Sequence, residues 1–228
     1  MSFPVCEALA DDALLLRLGE RIEVDLNARA HAVAAALSAA APPWLVDVVP
    51  AYASVAVFFD AAVLGDGAHA QVEQALRAAL RSAAPSDTHG RLVEIPVCYG
   101  GPHGQDLQDS AQALEIPEAE LIQRHAAGQY TVGMIGFAPG FPYLLGLDPT
   151  LALPRLATPR TRVPAGSVAI GGAQTGIYPR GGAGGWRLLG RTPVTLFDPA
   201  RGQPCLLSPG DRVRFVPIDA AAFDRWPP

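Results

Sequence analysis

Cysteine is scarce in this 228-residue chain: Cys6, Cys98 and Cys205 are odd in number and far apart. That excludes a disulfide framework and points to reduced thiols. No pair of cysteines or histidines has the spacing of a structural metal site, so none is expected. Half of the residues are hydrophobic, but many are alanines and no stretch approaches the roughly 18 uncharged apolar residues that a membrane span needs. The opening MSFPVCEALADDALLL lacks a basic stretch followed by an apolar core and a small-residue cleavage site. No signal peptide is therefore expected, and a cytoplasmic location is. Basic residues number 17 against 22 acidic ones, with no long run of either sign. No basic patch that would offset the phosphates of a nucleic acid is visible in the sequence, although a local cluster could still form in space. Two catalytic signatures are also missing: there is no G-x-S-x-G nucleophile elbow, and no GK[ST] that would mark a P-loop.

Glycine and proline, by contrast, are plentiful. The run from Gly133 to Pro199 is punctuated by both, and nine of the 25 residues from Gly166 to Gly190 are glycine. The usual glycine fraction is about 7%. Short β-prone pieces such as Ser167–Ile170 and Trp186–Leu189 interrupt the glycines, which a flexible linker would not show. The run reads as a folded surface of tight turns. Arg155, Arg160, Arg162, Arg180, Arg187 and Arg191 all fall in this half, either as solvated loop residues or as an anion-binding surface.

Hydrophobic periodicity divides the chain in two. Leu14, Leu16 and Leu18 alternate as in a strand, and Asp25 is placed to cap a helix whose apolar stripe is Leu26, Ala30, Val33, Leu37 and Ala41. Strands follow at Leu45–Val49 and Ser54–Phe59, then an amphipathic helix over Ala70–Ala83 with Val72, Leu76, Ala79 and Leu80. This β-α-β-β-α order, to which Leu92–Cys98 could add a last strand, is the ferredoxin-like pattern. The polar stretch Ala84–Gly90 reads as a boundary, giving an α/β domain over 1–88 and a second domain over 89–228; a linker after Tyr99–Gly104 is the other reading. Helices are expected at Asp106–Leu114 and Glu118–Ala127. Beyond Tyr130 the candidates are short strands, at Thr131–Phe137, Ser167–Ile170, Trp186–Leu189, Val194–Phe197 and Arg212–Pro217. Their lengths and regular turns predict a compact β-barrel or sandwich.

Few side chains declare a chemistry. His125 ends a predicted helix, where an imidazole commonly serves dipole and capping roles, and His103 lies in the loop CYGGPHGQDL. Ser167 suits either a substrate hydroxyl ligand or a turn cap. Backbone amides around Gly171–Gly176 could cradle an anion with Arg160 or Arg180 nearby. Phe137 is expected in the core. Tyr143, Tyr178 and Trp186, set among turn residues, suit a pocket or interface as well as a core. Gln174 and Thr175 add neutral polar groups fit to read an amide or carboxylate.

The ordered blocks VVPAYASVAVFFD, IPVCYGG, GMIGFAPGFPYLLGLDP, TPRTRVPAGSVAIGGAQTGIYP, GGWRLLGRTP and PGDRVRF carry a resemblance that covers nearly the whole chain. It is to the KipI-like family, also called the allophanate hydrolase subunit 1 family, and within it to the 5-oxoprolinase branch. The resemblance implies an α+β protein, a small ferredoxin-like α/β domain followed by a cyclophilin-like β-barrel with leading helices. It also implies one component of a complex, inactive alone. An allophanate-hydrolase-subunit-2-like protein and a LamB/YcsF-like protein are its expected partners. Together they would use ATP as co-substrate to open 5-oxoproline to L-glutamate, with ADP and phosphate released. Which component holds ATP, and whether magnesium takes part, stays open. The family also includes an inhibitor of a sporulation histidine kinase, and a role in allophanate or urea breakdown is a further alternative.

On the positions that match the family blocks, the resemblance implies a site at the mouth of the barrel. His125, Arg160 and Gln174 are the candidates for acid–base or anion work. Phe141, Tyr143, Ser167, Thr175 and Tyr178 are the candidates for substrate or subunit contact. His103 is secondary, because this chain has GPHGQDL where relatives often carry an acidic residue nearby.

Overall fold

The computed structural model describes residues 3–83 and 90–227. The chain divides into two compact units, Met1–Thr88 and His89–Pro228. The Ala84–Gly90 boundary, apart from Gly90, lies outside the described residues. Among the described residues no helix is long and apolar enough to cross a membrane.

In the first unit, strands β1 (Val5–Ala10), β2 (Ala13–Arg17), β3 (Leu45–Pro50) and β4 (Ser54–Phe59) form an antiparallel sheet in the order β1-β2-β4-β3. Helix α1 (Val24–Ala40), the short α2 (Ala61–Leu64) and α3 (Ala68–Ser82) complete it. The inward residues Leu14, Leu16, Val55 and Val57 alternate along β2 and β4, and they meet Ala30, Val33 and Leu37 of α1 and Val72 and Leu76 of α3. Each helix therefore contributes one stripe at three- and four-residue spacing to a single core. The α1 N-cap is Glu23, without a side-chain cap bond, and Asp25 sits in the first turn, where its charge suits the helix dipole. Ala41 ends the helix in a left-handed conformation just before Pro42.

The edge position next to β2 is filled by β1, from the N-terminal side. Leu92–Cys98 does not complete this sheet, because β5 (Leu92–Tyr99) belongs to the second unit. There it pairs in parallel with β13 (Arg212–Ile218), in register from Leu92↔Arg212 to Cys98↔Ile218.

The second unit is a closed barrel of seven strands in the order β10-β7-β6-β13-β5-β12-β9, the cyclophilin-like half of an α+β protein. The remaining members are β6 (Tyr130–Ile135), β7 (Pro142–Leu145), β9 (Ser167–Gly171), β10 (Gln174–Ile177) and β12 (Arg187–Arg191). Helices α4 (Leu107–Ala113) and α5 (Glu118–Ala127) precede β6, and α6 (Ala220–Asp224) follows β13. A separate two-stranded ribbon, β8 (Arg160–Val163) with β11 (Gly182–Gly184), lies outside the barrel ladder. Val194–Phe197 is not a strand. Thr192 Oγ1 accepts the Val194 N–H at 3.2 Å, a local turn bond that competes with pairing, and only Phe197 forms a bridge, to Cys205.

Strand alternation sorts the barrel residues into two cores. Val168, Ile170, Ile177, Leu144 and Leu189 point inward with Tyr130, Val132 and Phe215. Ala169 and Leu188 point outward and join a second cluster of Phe141, Val163, Tyr178 and Trp186.

Candidate functional site

The barrel interior holds His125, fully buried on α5. Leu121, one turn earlier, shares its inward face. The imidazole stacks on Phe215 with ring centroids 4.9 Å apart and an interplanar angle of 14°. Thr175 Oγ1 donates its single proton to the Ala169 carbonyl at 2.9 Å, so at 3.0 Å from His125 Nε2 it can only accept. His125 is therefore protonated on Nε2, and its bare Nδ1 accepts the Tyr99 hydroxyl at 2.8 Å. Burial lowers the imidazole to a pKa of about 3 and raises the Tyr99 hydroxyl well above its ordinary value. Tyr130 adds a bond from its hydroxyl to the His125 carbonyl at 2.7 Å. This is a neutral, doubly bonded histidine in a packed interior, an arrangement suited to holding the barrel together. His125 and Thr175 are brought together in the interior, while Gln174, next to Thr175 on β10, is only half-buried.

Arg160 opens β8 and pairs with Asp106, the residue that precedes α4. Asp106 is 5% exposed, and its second oxygen accepts the Leu188 N–H at 2.7 Å. Its carboxylate ties α4, β8 and β12 together instead of capping its own helix. The other terminal nitrogen of Arg160, Nη1, is buried without a hydrogen-bond partner among the described residues. Gln174 is half-buried and, by alternation with inward Thr175, sits on the outer side of β10. Ser167 is the turn cap: its hydroxyl donates to the Pro164 carbonyl at 2.8 Å. His103 packs against Phe223, with centroids 4.3 Å apart and the rings tilted by 48°.

The aromatic candidates do converge. Phe141 lies edge-on to Tyr143, Tyr178 and Trp186 at 4.9, 5.2 and 5.6 Å, on the outer face of the barrel. Arg155 covers the Trp186 ring at 5.8 Å. Burial raises the Tyr178 hydroxyl above its ordinary value, opposed by a backbone hydrogen bond at Trp186 and by the charges of Arg155 and Arg160. The glycine-rich run is the bed on which these rings lie. A Cβ on Gly171 would stand 2.4 Å from the Trp186 indole, and one on Gly184 would stand 2.4 Å from the Tyr178 hydroxyl. Gly171→Ala is accordingly expected to cost about 2 kcal/mol, since the ring is wedged between neighbours and cannot slide. Urea unfolding followed by tryptophan fluorescence checks this; unchanged stability would mean that Trp186 does not need the glycine.

Phe137 is not in the core. It is 67% exposed and holds a positive φ of 66°, a conformation costly for a bulky side chain, by about 1–3 kcal/mol. Its ring meets Phe141 and Tyr178 edge-on at 5.3 and 6.2 Å. Beside it opens a cleft of about 260 Å³, lined by Phe137, Ala138, Tyr178, Pro179, Arg180 and the Gly181–Ala183 backbone. The flanking Gly136 and Gly140 are the available sequence signal: an aromatic residue inside a glycine-bounded turn has little to bury against. All 17 basic residues of the chain are arginines, so any cation it brings to a phosphate or carboxylate is a guanidinium. Among the described residues no group of three or more His, Cys, Asp or Glu is placed to hold a metal ion.

This combination of a small antiparallel α/β unit and a closed seven-stranded barrel is matched by known proteins. Residues 4–207 match the carboxyltransferase domain, subdomain C and D, and the chain belongs to that family. Within it the chain falls with the KipI-like 5-oxoprolinase components known as PxpB. It is 41% identical over 228 residues to the 5-oxoprolinase component of this type from Bacillus subtilis (strain 168), covering 96% of this chain and 95% of that protein. The crystal structure of TTHA0988 superposes with a TM-score of 0.79 at 41% identity, over 95% of this chain; the match spans only 40% of that longer chain. The urea carboxylase of Kluyveromyces lactis shares the fold, with a TM-score of 0.76 at 18% identity, over 96% of this chain and 22% of that one.

Proposed function

We propose that this chain is the PxpB component of an ATP-dependent 5-oxoprolinase, a complex that opens 5-oxo-L-proline to L-glutamate while ATP becomes ADP and phosphate. The observation that carries this reading is the 41% identity to a 5-oxoprolinase component across nearly the full length of both chains. The partners are an allophanate-hydrolase-subunit-2-like protein and a LamB/YcsF-like protein, acting with this chain in the cytoplasm. A lactam resists water because its carbonyl is stabilised by the ring nitrogen. Phosphoryl transfer from ATP to the carbonyl oxygen, with ADP leaving, makes the carbon open to attack by water. The C–N bond then breaks with a proton going to nitrogen, and a second water hydrolyses the resulting acyl phosphate to the carboxylate and free phosphate. The charge that develops on phosphoryl oxygens and at the tetrahedral centre needs fixed donors. Arginines of the glycine-rich half are the cations this chain can supply to that charge. His125, buried and neutral, serves the barrel's shape and positions β10.

Reconstitution tests the reading. This chain alone is expected to release neither ADP nor glutamate from 5-oxoproline and ATP, and the complete three-component mixture is expected to release both in equal amounts. An assembled complex that fails to do so would overturn it.

A further inference from the structure

Phe137 carries more strain and more exposure than the fold requires. The Ala138 N–H donates to the Gly136 carbonyl at 2.8 Å, closing a three-residue turn around a residue with φ of 66°. That is the left-handed form of the γ-turn, rare because its central side chain is crowded. The loop is then locked by Phe141 N–H to Ala138 O at 3.0 Å and Gly136 N–H to Phe141 O at 3.1 Å. The outer aromatic core is already filled by Phe141, Tyr178 and Trp186, all buried. What the turn achieves is to hold one more ring upright in solvent, as a wall of the 260 Å³ cleft. Facing it are the Tyr178–Pro179 corner and Arg180, which is exposed and has no ion pair among the described residues. Strain kept at an exposed aromatic beside a cleft is the mark of a preorganised ligand wall.

We infer that this cleft binds a small, flat, singly charged carboxylate, with its ring against Phe137 and Tyr178 and its carboxylate on the Arg180 guanidinium. With the 5-oxoprolinase reading, on which the identity of the ligand rests, that molecule is 5-oxo-L-proline. The cleft has room for a small ring, and one planar guanidinium matches one carboxylate. A nucleotide triphosphate would bring several charges to a single cation.

The test uses the assembled complex with Arg180→Gln, Arg180→Lys, Phe137→Ala and Phe137→Gly. Arg180→Gln is expected to raise KM for 5-oxoproline about tenfold or more, the worth of one charge-assisted hydrogen bond. Arg180→Lys should recover part of that loss, and KM for ATP should stay unchanged in both. Both Phe137 variants should raise KM for 5-oxoproline, while Phe137→Gly melts at a higher temperature than Phe137→Ala because glycine accepts the positive φ. The readout that does not depend on turnover is an NMR titration of the full chain with 5-oxo-L-proline and with 2-pyrrolidone, which lacks the carboxylate. Shifts at residues 136–141 and 179–183 are expected with the first and are much weaker with the second. An active complex in which Arg180→Gln leaves KM for 5-oxoproline unchanged, or raises KM for ATP instead, overturns the cleft and leaves the proposed reaction standing. Should the wild-type complex be inactive, the reaction fails, and the titration alone decides the cleft: selective shifts keep it, and equal or absent shifts overturn it.

Discussion

Replacing His125 with alanine is expected to lower the stability of the barrel by about 4 kcal/mol at pH 7. The truncation opens a cavity beside Phe215 and strands the Tyr99 hydroxyl, and each effect is costly in a packed interior. The same residue predicts a pH dependence with a definite sign. Burial moves the imidazole from 6.5 to about 3, so between those values the unfolded chain binds a proton that the folded chain refuses. The stability tied to neutral His125 is whole above pH 6.5 and is lost as the pH falls toward 3, by up to about 1.4 kcal/mol per pH unit. Urea unfolding from pH 7 to pH 4, for wild type and His125→Gln, isolates this contribution: the variant should show a shallower decline by one proton. If the two slopes coincide, His125 is not excluded from protonation. Turnover supplies the contrast with an acid–base role. His125→Gln that folds as stably as wild type but abolishes activity across the pH range would put the imidazole in the reaction and not in the frame.

The helices are legible in the sequence because their burial repeats with the helical period. The stripes Ala30, Val33, Leu37 and Val72, Leu76, Ala79 are the observed core faces of α1 and α3. The sheet edges are not. Along Val5–Ala10 only Cys6 packs against the core of the first unit, too little apolar contrast to mark a strand. Whether Leu92–Cys98 joins the first sheet or the second is decided by β13, about 120 residues later, whose parallel pairing leaves no local trace. β7 and β10 are four residues each and contain Pro142 and Gly176, so propensity argues against both.

For the site, the aromatic convergence of Phe141, Tyr143, Tyr178 and Trp186 is visible as a composition, while its cause is not. Ring-to-backbone contact at Gly171 and Gly184 explains why so much glycine and so many rings share one segment. Two features mislead. The position of His125 near a helix end draws attention to capping, although its i, i+4 relation to buried Leu121 points inward. Phenylalanine is usually buried, and at Phe137 that general tendency yields to a hydrogen-bonded turn that no residue-by-residue propensity encodes.

The largest remaining effect falls on Asp106, because its carboxylate serves two partners at once from a nearly closed position. Asp106→Ala removes the counter-charge of Arg160 and the acceptor of the Leu188 N–H together. Arg160 is left with a second guanidinium nitrogen lacking a partner, in addition to buried Nη1. The expected cost is about 3 kcal/mol, below the upper range for a fully buried pair because the Arg160 side chain keeps 26% of its surface in water. Arg160→Ala should cost somewhat less, since Asp106 retains the Leu188 amide. The double variant should then cost less than the two losses added, by about 1–2 kcal/mol, as for residues in one network. Denaturation of the four proteins measures that coupling directly. Additive losses would show that the pair contributes nothing to the fold, and would free Arg160 for work on an anion. Strong coupling instead assigns its charge to the joint between α4, β8 and β12, and leaves recognition of an incoming anion to the arginines that have no partner of their own.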